Sequence, residues 1–300
     1  MVSAPRIAVV LVSRNRPQEL LECIESVVRQ SVAAEVVLLD NASDTRIDAQ
    51  GATVLRTPNV LGVASARNLA AKHCTAPVLA FLDDDAIFAQ VDALDRIIAI
   101  FDADPGLSGV ALNCRAVPAG SAPDFPGLEQ MTLIRGMRRG IRPVMVGREQ
   151  CVPCAVFVGA GCAFRRDRFE AVGGFREDFV YGGEELHLSL RLMEAGGGLV
   201  YAPGIRVRHF HSVTWRLSDA EREMSHLRNR WVMAAELLPA ACVAPSLLPL
   251  TVRTLRRMAA AGLEADMRSV WREFRTEWRR NRHPVSWHTA MKAIALRGRL

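Results

Sequence analysis

Val78-Leu79-Ala80-Phe81-Leu82-Asp83-Asp84-Asp85 is the stretch on which the reading of the fold turns. Five consecutive apolar residues read as a buried strand, and three acids follow it with no spacer. Carboxylates at the carboxyl end of a buried strand sit where open α/β sheets bind their ligands. Side chains two apart in an extended segment point the same way, so Asp83 and Asp85 can face one site together. Three neighbouring acids repel one another unless a cation or donor groups neutralise them. Hard oxygen ligands of this kind suit Mg²⁺ or Mn²⁺ shared with substrate phosphates. Taken alone, the three acids leave a solvated acidic turn open as the other reading.

Working outward, Ile7–Ser13 (IAVVLVS) reads as a buried strand. Asn15 offers a helix N-cap with Pro17 in the first turn, and Leu20, Leu21, Ile24, Val27 and Val28 recur at helical spacing. Glu35–Leu39 is a second strand ending at Asp40-Asn41-Ala42-Ser43. Thr53–Arg56 is a short third, and a helix is expected over Gly62–Cys74. Beyond the acidic turn a helix covers about Val91–Phe101. Residues Ala116–Arg148, rich in Gly, Pro and Arg, are expected to form a long excursion or lid. Regularity returns at Cys154–Phe164. Its Gly159-Ala160-Gly161 turn allows either close backbone approach to a ligand or simply a tight turn. A capped segment starts at Asp167, and Glu184–Glu194 reads as a helix with Leu186, Leu190 and Met193 on one face. Val200–Pro203 and Ile205–Phe210 are strand pieces, and from Asp219 the chain reads as mostly helical. Short β runs alternating with helices predict an α/β fold with a mostly parallel sheet flanked by helices. The expected division is a catalytic domain over 1–218 and a helical C-terminal region over 219–300.

Composition narrows the class. Half of the 300 residues are hydrophobic and 23% are charged, as in globular chains. The first residues run straight into the strand, with no signal-peptide pattern. Seven scattered cysteines point to reduced thiols and a cytoplasmic setting, and Cys151-Val152-Pro153-Cys154 has no second pair to complete a zinc site. Neither G-x-G-x-x-G nor a P-loop follows the first strand, which argues against dehydrogenase and P-loop chemistry.

The elements in order carry a family likeness. They are Val12-Ser13-Arg14-Asn15-Arg16, the Asp40 strand end, and Asn59-Val60-Leu61-Gly62 with Ala66-Arg67-Asn68. The Asp83-Asp84-Asp85 turn comes next, then Gly173-Gly174-Phe175, Phe179, and Gly183-Glu184-Glu185-Leu186-His187-Leu188-Ser189-Leu190-Arg191. Each alone is weak; in this order, from about Ile7 to Trp231, the chain resembles family 2 glycosyltransferases, the large inverting group with the GT-A fold. The resemblance implies transfer of a sugar from a nucleotide-diphosphate donor (UDP-, dTDP- or GDP-linked) to a hydroxyl of a glycan, lipid carrier or small metabolite. It implies that Asp40 binds the donor base, that Arg67 holds base or diphosphate, and that Ser13, Asp83 and Asp84 lie on the donor side. Asp85, with Asp83, would ligate Mn²⁺ or Mg²⁺, joined by His209 or His211. Glu185 would be the general base and Glu184 its partner. Two positions depart from the family pattern: Glu185 stands for Asp, and His187 for a second acid, which points to a change in how the acceptor is held. A sugar nucleotidyltransferase is the enzymatic rival, though Ser13–Pro17 is not its glycine-rich basic loop. A catalytically inactive sugar-binding protein is the other.

The tail has its own pattern. Residues 251–300 hold twelve Lys or Arg against four Asp or Glu, a surplus of eight that leaves residues 1–250 near −2 of the net +6. Val252, Leu255, Ala259, Leu263, Met267, Val270, Trp271, Phe274 and Trp278 recur at helical steps among the arginines. Such a helix suits an anionic membrane surface at the inner face, a second subunit, or packing on the catalytic domain. Nucleic acid is not expected, because no reading motif accompanies the charge. The apolar run Trp231–Val252 is interrupted by Glu236, Pro239, Pro245 and Pro249 and reads as packed or interfacial rather than spanning.

Overall fold

A computed structural model describes residues 4–117, 140–210 and 218–297. Chain order is β1 (Ile7–Ser13), α1 (Pro17–Val28), β2 (Glu35–Asp40), β3 (Thr53–Arg56), α2 (Val63–Ala71), β4 (Val78–Leu82), β5 (Ala86–Phe88), α3 (Ala93–Ala103) and β6 (Leu107–Ala116). It continues with β7 (Val144–Val146), β8 (Glu149–Pro153), β9 (Gly161–Arg165), α4 (Arg166–Ala171), α5 (Glu184–Glu194) and β10 (Gly198–His209). Four helices follow: α6 (Asp219–Leu237), α7 (Ala240–Ala260), α8 (Met267–Arg280) and α9 (Trp287–Arg297).

The sheet runs β3-β2-β1-β4-β9-β6-β10-β8-β7, with β5 also on β10. Its first four strands are parallel, as the alternating pattern predicts, and β9 enters antiparallel between β4 and β6, so the whole sheet is mixed. In register, Ser13 lies opposite Asp40, so the ends of β1 and β2 coincide and β4 ends beside them. The antiparallel pairing of Leu82 with Gly161 brings the glycine turn to the acidic cluster, and His209 pairs with Ala86. Two cores follow from the period-2 alternation of β1. Ile7, Val9 and Leu11 pack with α1 and α3 on one face. Ala8 and Val10 face α2, α5 and the C-terminal helices.

Several elements differ from the sequence expectation. Strand β6 is central yet was not read, because Ser108, Gly109 and Asn113 interrupt its apolar character. All three are buried; a Cβ at Gly109 would meet the Phe164 ring at 2.8 Å, and Asn113 donates to the Pro203 carbonyl at 2.9 Å. The two strand pieces near residue 200 are one strand with a shift in register between Ala202 and Arg206. Asn15 does not cap α1. The N-cap is Arg16, whereas Asn15 takes a left-handed conformation (φ 56°) and accepts the backbone N–H of Asp44 at 2.8 Å, tying the β1 and β2 loops together. Of the expected excursion, residues 118–139 lie outside the described residues, and residues 144–146 form β7.

The C-terminal helices share the core of the sheet. Val232, Met233, Ala234 and Leu237 of α6 belong to the same buried cluster as Val10, Phe81 and Leu190. The tail pattern is two helices, broken at Gly262 (φ 68°), with Val270 buried and Trp271 half exposed. Among the described residues no helix is long and apolar enough to cross a membrane. The cysteines of the described residues are free thiols, and burial pushes Cys151 up to about 11 and Cys154 up to about 12.

Candidate active site

The acidic turn divides as extended geometry requires. Asp83, Asp85 and His209 offer ligand atoms that all lie within 4.8 Å of one another. His209 Nε2 is 3.0 Å from Asp85 Oδ1 and 3.8 Å from Asp83 Oδ2. The backbone N–H of Phe210 donates to the Asp85 carbonyl at 2.8 Å, which fixes β10 against the turn. His211 lies outside the described residues. Asp84 turns away: it accepts from Ser13 Oγ at 2.8 Å and from Arg16 Nη1 at 2.9 Å. Burial pushes its pKa up to about 6, against the pull of Arg16.

Arg67, on α2, bridges the acidic turn and α5. Its Nη2 donates to Asp83 Oδ1 at 2.6 Å, and its Nη1 is 3.7 Å from Glu184 Oε1. The guanidinium lies so close to the glycine turn that a Cβ at Gly159 would sit 2.4 Å from Nη1. Gly159 is therefore there to admit Arg67, a role that the sequence left between ligand approach and turn.

Asp40 is at its strand end but fully buried. Its carboxylate accepts from the Ser43 N–H at 2.9 Å, the Ile47 N–H at 3.3 Å and Arg56 Nη1 at 3.0 Å. Burial would raise its pKa, but the Ser43 and Ile47 hydrogen bonds and the Arg56 charge hold it below the usual carboxylate value. Ser13, Asp40 and Asp84, expected on the donor side, are thus all engaged within the protein, with Arg16 and Arg56 between two of them and solvent. Neither arginine was singled out from sequence, because each meets its partner only across the sheet.

Glu184 and Glu185 open α5, which starts after two left-handed glycines, Gly182 (φ 76°) and Gly183 (φ 90°). Glu184 is buried with Oε2 unpartnered, and its pKa is pushed up to about 8 by burial first and the Glu185 charge second, against the pull of Arg67. Glu185 is half-buried. Helix α6 clamps the approach to this pair. Asn229, fully buried, donates to the carbonyls of Gly182 at 2.7 Å and Tyr181 at 3.1 Å, and the His226 ring packs on Gly182.

His187 does not face this site. Two residues along a helix turn the side chain by about 200°, so it points away from Glu185. His187 Nε2 is 2.9 Å from Glu236 Oε2 of α6, and Glu236 also pairs with Arg176, which reaches Glu277 of α8 at 2.8 Å. The expected effect on acceptor binding is corrected to a contact that docks the C-terminal helices.

Acids, arginine and imidazole converge at the carboxyl ends of a part-parallel sheet, in a chain with the GT-A fold. The pattern of Glycosyl transferase family 2 matches residues 8–173, and the chain belongs to that family. It is similar to the O-antigen chain rhamnosyltransferase WbaN of Salmonella anatum, 25% identical over 213 residues that cover 66% of this chain and 64% of that protein. The chain spans less than two thirds of the length of the curated relatives it matches. Among solved structures, S. aureus TarS 1–349 has a TM-score of 0.62 at 13% identity, covering 97% of this chain and 84% of that one. The mannosyltransferase PcManGT from Pyrobaculum calidifontis, solved with GDP-Man and Mn²⁺, has a TM-score of 0.56 at 18% identity, covering 98% and 88%. Family membership decides against the nucleotidyltransferase reading. The match ends before Glu184, so it carries nothing about the base.

Proposed function

We propose that the chain transfers a sugar from a nucleoside-diphosphate donor to an acceptor hydroxyl, with inversion at the anomeric carbon and with help from Mn²⁺ or Mg²⁺. The observation that carries the reading is the Asp83–Asp85–His209 cluster joined through Arg67 to the Glu184–Glu185 pair. Two carboxylates and an imidazole with atoms this close fit a divalent ion of mixed oxygen and nitrogen preference. The PcManGT complex with GDP-Man and Mn²⁺ supports the same donor class. When bound, such an ion stabilises the charge that develops on the leaving diphosphate.

The remaining chemistry belongs to the chain. Glu185 accepts the proton of the acceptor hydroxyl as its oxygen bonds to the anomeric carbon. The bond from that carbon to the diphosphate oxygen breaks, and its electron pair leaves with the nucleoside diphosphate. Attack opposite the leaving group inverts the centre. Arg67 stays charged and faces the same space as Asp83, where it offsets phosphate charge. The Arg16 and Arg56 side chains, at the ends of β1 and β3 beside the buried Ser13 and Asp40, form the nucleotide-facing rim, with Asp40 holding the loop that meets the base.

The test is release of nucleoside diphosphate from a panel of UDP-, dTDP- and GDP-sugars, with and without Mn²⁺. Asp85→Ala and excess chelator should each abolish transfer and weaken nucleoside-diphosphate binding. Full activity in chelator would remove the metal from the reading, and no release from any donor would remove the donor class.

A further inference from the structure

The space beyond Glu185 is built differently from the donor side. A cleft of about 580 Å³ lies between the Tyr181 loop, α6 and the end of α7, lined among others by Tyr181, Arg222, Glu223, His226 and Arg257. It adjoins the base: His226 packs on Gly182, two residues before Glu184, and is close enough to feel the Glu185 charge. An exposed aromatic ring beside an imidazole and a carboxylate is a surface for a sugar ring and its hydroxyls. The cleft does not end there. Arg257 and Ala260 are shared with a second trough of about 540 Å³ that follows one stripe of α7 through Leu248, Val252, Arg253 and Arg256. From residue 248 to 260 the stripe is about 18 Å long, at about 1.5 Å per residue.

The chemistry of the stripe is mixed in a telling way. Leu248 is 63% and Val252 46% exposed, although both are large apolar side chains. Arg253 and Arg256, alternating with them, have no hydrogen bond or ion pair among the described residues, and Arg257 pairs with Glu223 at the mouth of the cleft. A second copy laid on this face would oppose arginine to arginine, so the charge argues against self-association. Guanidinium groups match phosphate oxygens in paired hydrogen bonds, and exposed apolar side chains between them suit a hydrocarbon chain.

Resting on the glycosyltransferase reading above, we propose that the acceptor is an amphiphile: a sugar carried on a lipid phosphate. The sugar occupies the Tyr181–His226 cleft beside Glu185, the phosphate meets Arg253, Arg256 and Arg257, and the lipid lies along Leu248 and Val252.

The full chain should be tested for binding to phosphatidylcholine vesicles carrying a hexosyl polyprenyl phosphate. The comparison is vesicles matched in charge with phosphatidylglycerol. The expected result is at least tenfold tighter binding to the glycolipid vesicles, because the phosphodiester charge is the same in both and only the glycolipid engages the Tyr181–His226 cleft, the arginines and the apolar stripe at once. Arg253→Glu/Arg256→Glu should remove that preference, and Arg253→Ala/Arg256→Ala serves if the first pair fails to fold. Leu248→Ser/Val252→Ser should weaken binding while keeping the preference for the glycolipid. Equal binding to both anionic vesicles, no binding to either, or an undiminished preference in the arginine variants would overturn the proposal. Thermal shift with nucleoside diphosphate and Mn²⁺ on the same preparations separates the two readings. If nucleotide binds and vesicles do not, only the acceptor proposal falls.

Discussion

Two adjacent carboxylates at the start of α5 occupy different surroundings, and the difference assigns their work. Glu184 is buried against Arg67, while Glu185 is half-buried. Glu185→Gln keeps size and most hydrogen bonding but cannot take a proton. Transfer should fall by the ~10²–10⁴ typical of a lost general base, with nucleotide-sugar affinity within a few-fold of the parent. An unimpaired variant would move the base elsewhere. Glu184 makes a separate prediction about stability. Its folded pKa of about 8 lies above the ordinary 4.5, so the folded protein holds an extra proton between those values. Its contribution is fully present below about 4.5 and is lost as pH rises through 8. Glu184→Gln should therefore raise the melting temperature at pH 8–9 by roughly 2–4 °C, the shift that ~1 kcal/mol gives a domain of 150–250 residues. The gain should fade toward pH 5, and a gain of equal size at both pH values would contradict the linkage.

At the scale of elements, α6 sets the geometry of α5 without touching the reacting atoms. Asn229 donates to two carbonyls of the Tyr181–Gly182 turn; its removal takes the side-chain donor from the buried Gly182, while the Tyr181 carbonyl keeps Ser225 Oγ at 2.7 Å. Asn229→Ala should cost about 1–3 kcal/mol of stability. As a positioning residue it should also lower kcat while nucleotide-sugar affinity holds. A variant that loses stability but keeps kcat would reduce Asn229 to a packing role. The sequence made the parallel strands, the acidic turn and α5 legible because each is a local pattern ending in a functional residue. His209 was legible only through family likeness, since it reaches Asp85 by antiparallel pairing of β10 with β5. Strand β6 was hidden by buried polar residues whose partners lie far along the chain, as Asn113 and Pro203 do. The Asn229 clamp spans 47 residues to Gly182, and nothing in the spacing announces it.

The whole molecule asks whether residues 219–300 are an appendage. Their charge and helical pattern set them apart in the sequence, yet the boundary at 218 separates patterns and not cores. Val232, Met233, Leu237, Leu238 and Leu247 are each at most 4% exposed and pack in the same cluster as the strands and α5. Arg176, in the loop before α5, joins Glu236 and Glu277 from two of the C-terminal helices, and His187 joins Glu236 as well. Burial of one large apolar side chain is worth ~1.5–3 kcal/mol, so five of them match the ~5–15 kcal/mol by which a typical domain is stable. Deletion would also strip His187 and Arg176 of buried partners, leaving charge and imidazole against apolar surface. A fragment of residues 1–218 is therefore expected to be insoluble, or soluble only as an expanded state that lacks near-ultraviolet circular dichroism and a cooperative melt. Ending the chain after residue 266 instead removes α8 and α9 but keeps the α6 core. That fragment should fold, with a lowered melting temperature, because Arg176 retains Glu236 and Asp178. A 1–218 fragment that is monomeric, melts cooperatively and binds nucleoside diphosphate would show that the catalytic domain stands alone, and the shared core would then be only a docking surface.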